Sequence, residues 1–500
     1  MRVRGRRGGE GMSKEQTNGK RADGMTLSRR EVIAGLAGAS VGAALQPSHA
    51  LGQTSRESGT PNILWIITDQ HHVDAISARS CSQVSLPNIN SLMHVRTPNI
   101  DHLVRGGTFF TSCYCPSSLC APSRGSMMTG RAPLETGVIT NDHPVIKSGM
   151  PHVDEWLSGH SAYETLYAGK WHLPGAYQSE ISGFKVLQGG TSGHGIVSDP
   201  AVAEACADYL RNRRNPKPFF MVASFLQPHD ICEWLVFNQD NPSSLRYPEL
   251  ADHLPPLPAN FEFALDEPRQ LRALRARLDP SRGHWTKEHW QYYMWNYYRH
   301  VEQVDSNIGV LLQGLEDSGY ADNTAIIFVS DHGEGLAHHQ MVRKNFAYDE
   351  ASRVPLSIMW PRRLPSNQVI SHTPVSGLDI VPTICDLAGI AAPPLIRGKT
   401  LLPLLRGQDS FGDRAVICDV PGNIGRAVRT SRYKLITYAN DPNDMLFDMQ
   451  SDPFETNNLL HDSDHARVVH DLRARLLEWE RTLLPATNSY AHSDAWWRRS

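Results

Sequence analysis

The chain reads as an α/β protein: a large, mixed and mostly parallel sheet sandwiched by helices, followed by a smaller C-terminal subdomain of antiparallel sheet plus helix. Three observations predict it. Residues 61–70, 218–225 and 324–331 are short, continuous apolar runs of the kind that form central strands buried on both faces. Each run leads into a residue with chemistry to offer: Asp69, His229 and Asp331. Past residue 410 the pattern changes to short strands, a turn at Asn440-Asp441-Pro442-Asn443, and one helical stretch over about 466–483.

Taken in order, residues 1–30 are basic and Gly-rich. Ser28-Arg29-Arg30-Glu31-Val32-Ile33 then leads into a mild apolar run over 34–45 and the small-residue pattern Ser48-His49-Ala50. This predicts a twin-arginine export signal over 1–50, hence a periplasmic or secreted protein that uses the twin-arginine machinery; a disordered basic tail is the plain alternative. The run is too short and too rich in Gly and Ala for a stable membrane span. After the first strand, Thr97-Pro98-Asn99 opens a helix, with proline where its missing N–H costs nothing. Residues 107–111 begin the strand that leads to Cys120, and 301–315 have apolar helical spacing. Residues 230–295 are rich in Pro, charge and aromatics (Trp285, Trp290, Tyr292, Tyr293, Trp295). They read as an insertion within a catalytic domain spanning 60–410, either beside the substrate mouth or as a surface elaboration. A short helix over 378–387 and Ala392-Pro393-Pro394 close that domain, leaving 411–500 as the C-terminal subdomain.

The bulk properties exclude little but exclude it cleanly. With 49 Lys and Arg against 52 Asp and Glu, the formal charge of -3 provides no basic field for nucleic acid. The 8 cysteines are scattered and follow neither a disulfide framework nor a zinc spacing.

The chemistry concentrates in a few groups. Cys120-Ala121-Pro122-Ser123-Arg124 puts a thiol at a helix start, where unpaired N–H groups and the helix dipole favour negative charge. Asp69-Gln70 offers oxygens at a strand end, suited to a hard cation, although a lone Asp there is ordinarily a cap. Asp331-His332-Gly333-Glu334 adds oxygen and nitrogen donors at another strand end. In Gly169-Lys170-Trp171-His172, an extended backbone would point Lys170 and His172 to one side, toward an anion needing charge and a proton; two exposed polar residues on an edge are the bland reading. His229 and Lys344 are each weak alone. Because ligands in open α/β sheets bind at the carboxyl ends of strands, most of these residues are expected on one rim.

Together these residues resemble the formylglycine-dependent sulfatases of the alkaline phosphatase-like superfamily. The resemblance runs from Asn62 to about Leu460. It rests first on Cys120-x-Pro122-Ser123-Arg124 followed by Thr129-Gly130, then on the G-K-W-H, P-H and S-D-H-G-E elements. It continues with Lys344, Tyr348-Asp349-Glu350, Arg353-Val354-Pro355, Asp379 with Pro382-Thr383, Leu446-Phe447-Asp448 and Asp452-Pro453-Phe454-Glu455 with Asn458-Leu459. It implies that a formylglycine-generating enzyme oxidises Cys120, and that Asp69, Gln70, Asp331, His332 and an oxygen of the modified Cys120 hold one divalent cation. Ca2+ is the first expectation, with Mg2+ or Mn2+ as alternatives. It implies that Arg124 polarises the formylglycine while Lys170, His172, His229 and Lys344 surround the sulfate. One hydroxyl of the hydrated aldehyde attacks sulfur, His229 (assisted by Lys344) protonates the leaving alcohol, and the second hydroxyl expels sulfate. The pattern departs from the family where many members carry a second Asp and an Asn: this chain has Gln70 and His332, as in some bacterial sulfatases and phosphonate monoester hydrolases. The expected activity is therefore sulfuric ester hydrolysis, with sulfated glycans favoured on account of the aromatic insertion; phosphonate or phosphate ester hydrolysis on the same scaffold is the alternative. A non-catalytic glycan-binding relative is disfavoured because no named catalytic position is missing.

Overall fold

The computed structural model describes residues 59–80, 94–142, 145–173, 180–181, 183–190, 193–238, 248–264, 266–277, 285–408 and 411–484. The expected export signal lies outside the described residues. From Gly59 onward the chain forms one compact unit.

The strands are β1 (Asn62–Asp69), β2 (Thr108–Tyr114), β3 (Glu164–Gly169), β4 (Glu180–Ile181), β5 (Phe184–Gly189), β6 (Phe219–Pro228), β7 (Thr324–Ser330), β8 (Arg353–Met359), β9 (Gln368–Ile370) and β10 (Val375–Ser376), followed by β11 (Val416–Val420), β12 (Gly425–Arg429), β13 (Tyr433–Tyr438) and β14 (Met445–Asp448). The first ten make one sheet in the order β10-β2-β8-β7-β1-β6-β3-β5-β4, with β9 also paired to β2. The core of that sheet, β7-β1-β6-β3-β5, is parallel throughout, and β8 runs antiparallel between β7 and β2. The three apolar runs legible in the sequence are thus β1, β6 and β7, immediate neighbours at the centre.

Alternation along these strands builds the two faces. Ile63, Trp65 and Ile67 of β1 turn to one core with Phe220 and Val222 of β6 and Ile327 and Val329 of β7. That face is covered by Met127 and Met128 of α2 (Cys120–Thr129) and by Ile380, Val381 and Ile384 of α6 (Ile380–Leu387). Leu64 and Ile66 turn the other way, with Met221, Ala223, Ile326 and Phe328. There they meet Ile100 and Leu103 of α1 (Pro98–Gly106), Val202 and Cys206 of α3 (Gly195–Asn212), and Val304, Ile308 and Leu311 of α5 (Lys287–Asp317). Strands covered on both sides must be apolar at every position, which is why β1, β6 and β7 read as unbroken runs.

Helix α5 corrects the sequence reading in one respect. It begins at Lys287, well before the expected 301, and carries most of the aromatic residues assigned to the insertion. Trp290 and Tyr293 are buried in an apolar cluster with Ile231 and Leu235 of α4 (Ile231–Phe237), and Trp234 and Trp285 pack against it. Trp285 meets Trp290 edge-on at 4.8 Å. These rings fill a core, so the sugar-stacking role does not follow from them.

The antiparallel sheet β11-β12-β13-β14 packs Ile417, Val428, Leu435 and Leu446 against Leu472 and Leu476 of α7 (Ala466–Thr482), matching the expected sheet plus helix. Its other face, with Cys418, Ala427, Ile436 and Phe447, joins the core of the large sheet. Lys434, with no exposed surface, reaches across from β13 to pair with Asp349 (2.7 Å) and Glu455 (2.8 Å). No helix among the described residues is long and apolar enough to cross a membrane.

Candidate active site

Four parallel strands end at one edge of the sheet, and each delivers a residue there. β1 ends on Asp69, β3 is followed by Lys170, β6 by His229 and β7 by Asp331. Opposite them stands the N-terminus of α2. Leu119 is extended before it, Cys120 is its first residue, and Pro122 falls in the first turn. Gly130 closes the helix in the left-handed conformation, its N–H donating to Ser126 O. The Ser123 hydroxyl donates to Asp331 O at 2.6 Å and so ties the helix to β7.

The Cys120 thiol is fully buried. His332 Nε2 lies 3.1 Å from Sγ, Lys344 Nζ 3.2 Å and Asp69 Oδ1 3.8 Å. His229 interacts with it as well. Burial and the Asp69 carboxylate act to raise the thiol's pKa; Lys170, Lys344 and His332 outweigh them and bring it well below its ordinary value.

Arg124 is 1% exposed and spends every donor group inside the protein. Nε donates to Asp331 Oδ2 at 2.8 Å, Nη2 to Asp69 Oδ2 at 3.1 Å, and Nη1 to Lys170 O at 2.9 Å and Ser224 Oγ at 2.7 Å. It acts as a clamp between two carboxylates. Lys170 Nζ meets the same Asp69 Oδ2 at 2.6 Å. Burial works against ionisation of Asp69, yet Lys170, His229, Lys344 and Arg124 hold its pKa well below the usual range. Burial, then the charge of Asp69, pushes Asp331 up to about 6. His229 is pushed down to about 4, by burial first and then by Lys344 and Lys170. Burial works against a charged Lys344, but Cys120 and Asp69 raise it, so it keeps its proton.

A cation-shaped donor set emerges. Ligand atoms of Asp69, Cys120, Asp331 and His332 all lie within 4.8 Å of one another, and all four residues are buried. His332 Nδ1 donates to Gly333 O at 2.9 Å, which turns Nε2 into the set; Asp331 and Cys120 raise the ring's pKa against burial, so a bound cation would take the place of the Nε2 proton. Gln70 adds an oxygen: its Oε1 accepts from Lys344, and its left-handed backbone (φ 67) turns the side chain at the strand end. Two carboxylates, an amide oxygen and one imidazole fit a divalent cation of the hard-to-borderline kind.

The structure therefore brings together Asp69, Gln70, Cys120, Arg124, Lys170, His229, Asp331, His332 and Lys344. It treats His172 differently. Its φ of 57 breaks the extended backbone on which the shared direction of Lys170 and His172 rested. His172 is half-buried, and its Nδ1 has no hydrogen-bond partner among the described residues. Sequence reasoning also missed the residues that hold the site. Ser224 and Cys232 are anonymous in the chain, and the proximity of Cys232 Sγ to Gln70 (3.3 Å from Nε2) has no sequence signal at all.

Gly169 shows how tight the edge is. Its φ is 102, and a Cβ there would lie 1.9 Å from Ser224 O. Gly169→Ala is expected to cost about 3 kcal/mol in stability through backbone strain and overlap, and to move Lys170 off Asp69. A urea unfolding midpoint equal to that of the wild type would contradict this.

Comparison with known proteins agrees with this geometry. The chain matches the sulfatase family over residues 61–390, and the C-terminal region of N-sulphoglucosamine sulphohydrolase over 337–482. A Delta 4,5-hexuronate-2-O-sulfatase of Bacteroides thetaiotaomicron is 29% identical, covering 75% of this chain and 82% of its own length. An N-acetylglucosamine-6-O-sulfatase of the same organism is 26% identical, covering 88% and 89%. The solved structure of a 2-O GAG sulfatase superposes with a TM-score of 0.73 at 27% identity, covering 88% of this chain and 97% of that one. A phosphonate monoester hydrolase of Agrobacterium radiobacter shares the fold, with a TM-score of 0.68 at 23% identity and coverage of 86% and 97%. The strand-end cluster around Cys120 and the match across most of the chain lead to one conclusion: this chain belongs to the sulfatase family and is a sulfuric ester hydrolase.

Proposed function

We propose that the protein removes sulfate from a sulfated glycan, using a formylglycine made from Cys120 by a formylglycine-generating enzyme. The observation that carries this reading is the burial of Cys120 among Asp69, Asp331, His332 and Lys344 at the N-terminus of α2. The glycan preference is supported by relatives named for hexuronate, N-acetylglucosamine and ulvan substrates. A hydrated formylglycine supplies two hydroxyls on one carbon, one to attack sulfur and one to drive sulfate off. A divalent cation, Ca2+ first and Mg2+ or Mn2+ as alternatives, supplies charge for the sulfate oxygens; Asp69, Gln70, Asp331 and His332 would hold it.

The chain's own residues do the rest. Lys170 and Lys344 neutralise charge on the sulfate as it redistributes toward the transition state. Arg124 keeps Asp69 and Asp331 parted and aimed. His229, facing position 120 from the end of β6, delivers the proton to the leaving alcohol with Lys344 beside it; its low pKa requires that the negative charge of the bound sulfate ester first raise it and load that proton. His172 is a further candidate at the sulfate. We also read residues 60–410 as the catalytic domain, with 230–295 inserted in it, and 411–500 as the C-terminal subdomain. The twin-arginine pattern in 1–50 supports export to the periplasm or beyond.

The test is the intact mass of the Cys120 peptide after co-expression with a formylglycine-generating enzyme, where a loss of about 18 Da marks conversion of the thiol to the aldehyde. The modified protein is expected to release sulfate from a panel of sulfated mono- and disaccharides. An unshifted peptide in a fully active enzyme sinks the formylglycine; a strong preference for a phosphonate monoester over every sulfate sinks the substrate class.

A further inference from the structure

We propose that Glu334 is a positioning residue that sets which way the Gln70 amide faces, and thereby makes Gln70 an oxygen donor to the cation site. The proposal rests on the reading that Gln70 helps to hold a divalent cation. A glutamine side chain has an oxygen face and an NH2 face of nearly the same shape, so only its partners fix its direction. Here both partners are unambiguous. Lys344 Nζ can only donate, and it lies 2.5 Å from one end of the amide. The Glu334 carboxylate accepts at the other end through Oε2. The oxygen must therefore face Lys344 and Cys120, and the NH2 group must face Glu334.

Glu334 itself is locked. It has no exposed surface, and its Oε1 accepts from the Tyr293 hydroxyl and the Arg343 N–H, with the Leu336 N–H at 3.4 Å. Those donors fix Oε1, which leaves Oε2 for Gln70. The result is a relay in which Tyr293, on α5, and the 343 backbone orient Glu334, Glu334 orients Gln70, and Gln70 presents its oxygen at the end of β1. A carboxylate at position 334 is required because Gln70 is an amide; an Asp or Glu at position 70 would need a donor there instead.

This yields a swap test with a readout independent of turnover. In Glu334→Gln the introduced amide must give its oxygen to Tyr293 and Arg343, so its NH2 group opposes the NH2 group of Gln70. In Gln70→Glu two carboxylates meet at hydrogen-bond distance. In the double variant Gln70→Glu/Glu334→Gln the pairing is restored with its direction reversed, and an oxygen still faces the site. Calorimetric titration of the full chain with Ca2+, Mg2+ and Mn2+ salts is expected to show each single variant binding the preferred cation about 10- to 100-fold more weakly than wild type. The double variant is expected to recover most of that loss. If a single variant fails to fold, as judged by its cation-free melting curve, the double variant carries the test, since it is expected to fold and bind. Wild-type affinity in Glu334→Gln, or a double variant no better than the singles, overturns the role of Glu334. A wild-type chain that binds none of the three cations overturns the cation reading beneath it.

Discussion

Cys120→Ala is expected to lower sulfate-ester hydrolysis by about a hundred-thousand- to a million-fold, the scale on which a nucleophile acting as one unit with its neighbours is lost. The side chain at this position is the point where every other group converges: His332 at 3.1 Å, Lys344 at 3.2 Å, Asp69 at 3.8 Å. Removing it leaves the cationic clamp intact but gives the sulfate nothing to react with. Folding should be little affected. Only one heavy atom is removed, and the backbone contacts of α2 remain, so the stability change should stay within about 1 kcal/mol. Rates measured with a chromogenic aryl sulfate, beside a melting curve, separate the two effects. A variant that keeps even a tenth of the wild-type rate would mean that position 120 is not the reacting centre.

Arg124→Met is expected to cost about 3–5 kcal/mol in stability, because it removes a buried guanidinium from two buried carboxylates, leaving Asp331 without that partner and Asp69 with Lys170 in its place. The partners here are two carboxylates, Asp69 and Asp331, each with no exposed surface. Methionine fills much of the space but donates nothing, and Ser224 Oγ and Lys170 O lose a donor as well. Arg124→Lys should fall between, since it keeps the charge but cannot fork to both carboxylates. Denaturant midpoints for the three proteins test the order. If Arg124→Met unfolds with the wild type, the guanidinium is not the element that holds the two strand ends together.

The centre of the fold was legible because burial on both faces leaves a plain mark. β1, β6 and β7 are continuous apolar runs, and each announces its active edge by a sudden polar residue. The flanking strands β5 and β8 were not read, because Phe184–Gly189 is short and partly exposed and Arg353–Met359 contains proline and serine. In the site, residues at strand ends and in the Cys120 signature stood out by type and order. Their supports did not. Glu334 sat beside the metal-type residues in Asp331-His332-Gly333-Glu334, but nothing in that string says its carboxylate belongs to Gln70, which is 264 positions away. The aromatic residues of α5 were legible only as a cluster of Trp and Tyr, with a place beside the substrate and a surface elaboration both open; helical periodicity over Lys287–Asp317 turns Trp290, Tyr292 and Tyr293 inward. His172 shows that alternation arguments hold only where the backbone stays extended.

The distances along the chain between Cys120 and its neighbours set a timetable for synthesis. The thiol is sealed by residues that come much later, with His332 212 positions and Lys344 224 positions downstream. At ribosomal speeds of roughly 5–20 residues per second, about 10–45 s pass between the emergence of Cys120 and that of Lys344. Until His332 and Lys344 have emerged, the groups that seal the thiol do not yet exist; in the folded chain Cys120 has no exposed surface at all. If Cys120 is converted as proposed, slow codons between positions 120 and 344 are expected to lengthen this window and raise the modified fraction.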